Sequence, residues 1–146
     1  MINFILSIFM NMETYYHGSH ALFDRFDLDH ALEGDGKVKF GYGVYVTSKY
    51  TSAAHYSGAN PNSTDHYVYT VEIPERTATN CIAFKEPVHP TILAAAEARL
   101  GEALPEKYLQ DAGKEFRKFL AMKLTGQKKV TLEGEKAATA FLLSIG

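Results

Sequence analysis

The sequence predicts an α+β fold, because strand-like alternation fills its first half and helical periodicity fills its second. The two patterns do not interleave as they would in a parallel βαβ protein. A chain of 146 residues suits one domain, and 46% hydrophobic content supplies a core. Residues 12–146 are therefore read as a single domain preceded by an apolar extension over 1–11.

Taken in order, residues 13–16 read as a short first strand running into the turn-permissive Gly18-Ser19. Phe23, Phe26 and Leu28 punctuate a polar stretch, and Gly34-Asp35-Gly36 breaks what precedes it. Residues 40–47 are expected as a second strand, interrupted by Gly41 and Gly43. Ser48 is placed to cap a helix over 49–56 that closes on Ser57-Gly58. In the strand expected over 66–73, Tyr67, Tyr69, Val71 and Ile73 take one face and His66, Thr70 and Glu72 the other. Pro74 ends it, since proline cannot donate to a ladder.

Three helices follow. Over 91–104, Ile92, Leu93, Ala96 and Leu100 fall on one stripe; over 105–124, Leu109, Ala112, Phe116, Phe119 and Leu120 do. Over 131–145 the inward positions are Ala138, Phe141, Leu142 and Ile145, with Gly146 where a helix cap belongs.

The formal charge of -2 gives no general reason to expect nucleic-acid binding. Nine Tyr and nine Phe without Trp suit a stacking pocket or a plain β-rich core. The lone Cys81 excludes a disulfide framework within the chain and reads as a small buried hydrophobe. Residues 1–10 are apolar except at Asn3 and Ser7, too short to span a bilayer, which takes roughly 20 residues, and lack the basic start of a secretory signal. The expected location is therefore cytoplasmic, a secreted effector being the alternative. Met10 and Met12 are alternative starts. His17 and His20 are spaced as paired ligands might be, but no third ligand sits at a suitable offset, so no metal is expected. Asp24, Asp27 and Asp29 read as loop solvation.

Two motifs carry chemistry. In Tyr16-His17-Gly18-Ser19, a glycine lets a planar amide approach the main chain, while the imidazole and hydroxyl suit sugar hydroxyls. A core histidine beside a Gly-Ser turn would give the same tetrapeptide. In Gly41-Tyr42-Gly43-Val44-Tyr45, two glycines within a strand cost stability unless something packs closely there. Tyr45 and Tyr56, carried on that strand and the following helix, could sandwich a flat ring, or could simply be core tyrosines.

Together these motifs resemble the ADP-ribosyltransferase superfamily, in its His-Tyr-Glu branch of poly-ADP-ribose polymerases and diphtheria toxin. The matching residues are His17-Gly18-Ser19, Gly41-Tyr42-Gly43-Val44-Tyr45-Val46 and Tyr56. Tyr69-Thr70-Val71-Glu72-Ile73-Pro74 and the Lys136–Gly146 segment look more like bacterial and phage polyvalent-type domains of that superfamily. The resemblance spans residues 13–146 and implies a split antiparallel sheet with helices. It implies NAD as substrate: His17 on the adenosine ribose, Gly18 on the nicotinamide carboxamide with Ser19 nearby, and Tyr45 and Tyr56 on the nicotinamide ring, with Gly43 in the same wall. His17 and Tyr45 would be the catalytic pair, in a site that stabilises an oxocarbenium-like transition state. Mono- rather than poly-ADP-ribosyl transfer is expected, since nothing identifies an elongation loop; the acceptor could be protein, nucleic acid or a small molecule.

Two departures qualify that expectation. The helix serine of the family falls on Ala53, with Ser52 one place early. The late-strand glutamate of the third motif has no counterpart before Gly146, and Glu72 reads as an ordinary solvated carboxylate. The alternative reading is therefore a truncated or degenerate domain that binds NAD or a protein partner without catalysis. A lost inner strand would leave an open sheet edge, to be covered by a homodimer contact, a partner or residues 1–11. An RNA 2′-phosphotransferase of the same superfamily would need more basic residues near the motifs than Arg25, Lys37, Lys39 and Lys49.

Overall fold

The protein folds as a mixed α+β chain in a computed structural model that describes residues 11–30, 39–59 and 61–146. Residues 1–10 of the expected apolar extension over 1–11, the Gly34-Asp35-Gly36 break and Lys37 lie outside the described residues. Strand β1 (Met12–Ser19) pairs antiparallel with β2 (Tyr67–Pro74), in a register running from Met12 opposite Pro74 to Ser19 opposite Tyr67. The alternation in β2 sets which side is covered: Tyr67, Tyr69, Val71 and Ile73 are half-buried, whereas Thr70 and Glu72 are exposed. β1 outruns its expected length because pairing with Val68 and Tyr67 carries it through Gly18 and Ser19.

The strand expected over 40–47 does not form. Among the described residues only Thr47 pairs, in an isolated antiparallel bridge to Tyr16. The reason lies at Gly41, whose φ of 112° is far from extended backbone and turns the chain just before the Tyr45 motif. Helix α1 (Tyr50–Ser57) follows and closes at Gly58 as expected, but Lys49 rather than Ser48 occupies its N-cap, without a side-chain cap bond. The Lys49 amide instead donates to the Thr47 hydroxyl at 3.2 Å.

Helix α2 (Pro90–Leu100) starts at the His89 cap, whose side chain accepts the Thr91 amide, and stops at a left-handed Gly101. The single helix expected over 105–124 is split into a short 3₁₀ turn (Glu106–Leu109) and helix α3 (Gly113–Thr125). Ala112, which bridges to Pro87, is extended and interrupts the helical path. In consequence Tyr108 is buried where Leu109 was expected, and Leu109 is exposed. Helix α4 (Leu132–Ser144) is capped by Thr131, whose hydroxyl accepts the Gly134 amide at 3.2 Å.

The hydrophobic core joins these last three helices. Phe116 and Leu120 are fully buried, with Ile92, Leu93, Ala96, Ala138 and Phe141 around them. The stripe residues were thus legible from their spacing, whereas Cys81 is exposed rather than buried. The chain forms two compact units: residues 11–30 with Gly43–Arg76, carrying β1, β2 and α1, and residues 39–42 with Thr77–Gly146, carrying α2, α3 and α4. Among the described residues no helix is long and apolar enough to cross a membrane.

Candidate functional site

The candidate site is built on the last three residues of β1. Tyr16 exchanges both backbone hydrogen bonds with Thr47, at 2.8 and 2.9 Å. In an antiparallel ladder, backbone groups two residues apart point to the same edge, so the N–H and C=O of Gly18 also face away from β2. Thr47 is the last residue to pair on that edge, and neither Gly18 group meets a hydrogen-bond partner among the described residues. The result is an adjacent donor and acceptor on one edge, the pattern that a primary carboxamide complements.

Gly18 has a packing role, which the sequence did not reveal. A Cβ at Gly18 would overlap the Ala53 carbonyl oxygen and approach the Ser57 amide to 2.8 Å. The bare backbone lets α1 pack directly on β1, with Ala53 only 1% exposed at the contact. Ala53 is therefore a packing residue at this contact. Ser52, beside it on α1, is half-buried.

His17 lies on the opposite face of β1, paired with Tyr69. Its Nδ1 is 2.8 Å from the Tyr45 carbonyl oxygen. A carbonyl can only accept, so Nδ1 carries the hydrogen, and in the neutral ring Nε2 keeps its lone pair as an acceptor for a hydroxyl. Three aromatic side chains hold the ring. Phe26 meets it edge-on at 5.1 Å, and Phe23 and Tyr69 lie tilted at 6.2 and 6.3 Å. Phe23 stacks on Tyr69 at 4.2 Å. The Tyr69 hydroxyl donates to the Ala21 carbonyl at 2.9 Å and accepts the Phe23 amide at 2.8 Å, fastening the segment after β1 to β2. These aromatic partners were missed from sequence; the Phe23 and Phe26 interruptions of a polar stretch were their only signal.

The remaining expected residues sit as follows. The Ser19 hydroxyl accepts the Ala21 amide at 3.0 Å and so shapes the turn out of β1. Among the described residues, no atom lies within 4 Å of where a Cβ at Gly43 would stand. Tyr45 is 38% exposed, while Tyr56, near the end of α1, is 68% exposed; neither is a core tyrosine. Tyr50 of α1 meets Tyr16 edge-on at 5.6 Å, a further exposed ring that sequence reasoning passed over.

Glu72 is exposed on the Thr70 face of β2, as expected of a solvated carboxylate, and stands opposite Thr14 rather than near Gly18. At the far end of β1, Glu13 has its pKa lowered, first by the Tyr15 hydroxyl at 2.8 Å and then by Arg76 at 2.9 Å. Among the described residues no group of three or more His, Cys, Asp or Glu could hold a metal ion. The helical unit has its own cleft of about 350 Å³, lined largely by apolar side chains such as Ile82, Ile92, Leu142 and Ile145; none of the expected site residues lines it. Buried Glu135 of α4 is ion-paired with Arg117 of α3 beside that cleft.

No protein-family model, curated protein or solved structure matches this chain.

Proposed function

We propose that the chain is an NAD-dependent mono-ADP-ribosyltransferase-like domain, which binds NAD and transfers ADP-ribose to an acceptor. The observation that carries this reading is the Gly18 backbone pair on the edge of β1 beyond Thr47, a donor and an acceptor matched to the nicotinamide carboxamide. Three further features support it. His17 presents an Nε2 acceptor to a ribose hydroxyl, its ring fixed by the Tyr45 carbonyl. Tyr45 and Tyr56 are both solvent-exposed, and stacking of the nicotinamide on such rings would be favoured by about 0.5–1.5 kcal/mol per pair. Ser52 and Ser19 supply hydroxyls on the flanking elements, and the space over Gly43 is open.

A second reading, binding without turnover, is favoured by one observation. Glu72 lies four rungs from Val68, the partner of Gly18, roughly 13 Å along the strand. It cannot stand in for the glutamate that orients the ribose in the resembling family.

The experiment is to incubate the purified chain with nicotinamide-labelled NAD and to follow binding and nicotinamide release. Release that is lost in His17→Ala and Tyr45→Ala supports the transferase. Binding without release, unchanged by Glu72→Ala, supports the second reading. Absence of NAD binding would sink both.

A further inference from the structure

Strand β2 gives the proposed site no residue, although its first half pairs with the His17 end of β1. Tyr69 stands directly opposite His17 in the ladder, so the two side chains share one face of the sheet. Their ring centroids are 6.3 Å apart. Beyond Ser19 the chain lies over that face, where two of its rings complete a cluster of four. Phe23 stacks on Tyr69 at 4.2 Å with the planes 14° apart, and Phe26 meets Phe23 edge-on at 5.1 Å. Phe26 also meets His17 at 5.1 Å, with the planes 86° apart. None of residues 20–26 belongs to a helix or a strand, so no regular ladder holds this segment in place. Among the described residues its backbone makes three hydrogen bonds. The Ala21 amide donates to the Ser19 hydroxyl. The other two meet at the Tyr69 hydroxyl, which donates to the Ala21 carbonyl at 2.9 Å and accepts the Phe23 amide at 2.8 Å. One phenol thus ties both ends of the Ala21–Phe23 tripeptide, with its hydrogen and a lone pair both engaged.

From this arrangement we infer that Tyr69 is a positioning residue for His17. It acts through the segment over 21–26. The bond between Nδ1 and the Tyr45 carbonyl fixes one corner of the imidazole, and a single hydrogen bond leaves a ring able to tilt about it. Phe26 closes one side of that tilt. Phe26 rests in turn on Phe23, whose amide the Tyr69 hydroxyl holds. Aromatic pairs favour particular relative orientations, so the placing of Phe26 is passed on to the plane of the imidazole. Removing the hydroxyl would leave the Tyr69 ring beside His17, untie the segment and take away the Phe26 wall. The consequence for a ribose hydroxyl at Nε2 rests on the NAD reading above, whereas the control of the His17 ring does not.

The test is Tyr69→Phe, which removes the hydroxyl and keeps the ring, set beside Phe26→Leu, which removes the edge-on ring directly. Two quantities are read by nuclear magnetic resonance: the positions of the His17 ring protons, which neighbouring rings displace, and amide exchange at Phe23. Exchange at Val71, paired with Tyr15, reports opening of the ladder itself. Loss of one hydrogen bond of ordinary strength is expected to speed Phe23 exchange roughly three- to tenfold in Tyr69→Phe, with Val71 unchanged. The same variant should move the His17 ring protons toward the positions of an exposed histidine, in the direction that Phe26→Leu gives. Thr70→Val, on the opposite face of β2, should change neither quantity. Faster Phe23 exchange with unmoved His17 protons would reduce the hydroxyl to a loop fastening and overturns the inference. Unchanged Phe23 exchange, or an equal rise at Val71, overturns it as well. NAD affinity should fall in Tyr69→Phe, by less than in His17→Ala. If the wild-type chain does not bind NAD, the NAD reading fails while the His17 protons still decide the positioning role.

Discussion

The two units of the chain place their buried surface very differently. In the helical unit, Phe116, Leu120, Ala96, Ala121 and Ala138 are essentially inaccessible and form one core with their neighbours. In the strand unit, the buried residues among those described are Tyr15, Ala53 and Ser57, and most aromatic rings remain partly open. Hydrophobic burial stabilises by about 25 cal/mol per Å² of apolar area, so the helical unit has the stronger independent driving force. The strand unit relies on ladder bonds, edge-on rings and hydroxyl-to-backbone bonds. A surface meant to receive a ligand cannot also be buried against the protein, and the unit carrying the candidate site is the one with less packed surface.

The largest effect should come from the helical core. Phe116→Ala is expected to cost about 3–5 kcal/mol, read as a lower urea midpoint for the loss of helical circular dichroism. A change below about 1 kcal/mol would mean that the core collapses around the vacancy and that the contrast between the units is overdrawn. Next comes the contact between strand and helix. Gly18→Ala forces a methyl group into the Ala53 carbonyl and should cost about 1–3 kcal/mol, as overpacking does. Its mark should be faster amide exchange in α1 and β1, with α3 and α4 little altered. Uniform loosening of all helices would show that the two units unfold as one.

The smallest effect concerns acid. Glu13 has a lowered pKa in the folded chain, through the Tyr15 hydroxyl and then Arg76. Its contribution is therefore present above the ordinary carboxylate range and is lost as pH falls through the lowered folded value. Glu13→Gln should reduce stability near neutral pH and converge with wild type in strong acid, measured as the difference in urea midpoints. The gap will be small, since the pair is exposed and screened. A gap that widened in acid would contradict the assigned direction.

What the sequence made legible follows the same division. Periodicity located α2, α3 and α4 and most of their core, because a helix stripe is a local signal that burial then enforces. It failed at Ala112, where the bridge to Pro87, a distant partner, interrupts the helix. In the strand unit, alternation found β2, and the His17-Gly18-Ser19 motif falls at the end of β1. The expected strand over 40–47 failed because Gly41 turns there, and a glycine alone does not announce its φ. The aromatic setting of His17 and the packing role of Gly18 were invisible, since both depend on which residues pairing and helix packing bring together. Ser48 and Cys81 were misread for a similar reason: cap and burial are settled by the neighbours a residue meets, not by its type.

The hydrogen bond from Thr139 to Tyr42 joins residues 97 positions apart, and that separation has a meaning in time. A ribosome adds about 5–20 residues per second, so Tyr42 leaves it roughly 5–20 s before its partner exists. During that interval α1 and β2 are synthesised and free to pack with β1, while the Tyr42 carbonyl still lacks its Thr139 donor. That bond forms only once α4 has emerged, and a nascent polypeptide halted before α4 leaves the Tyr42 carbonyl without its Thr139 donor.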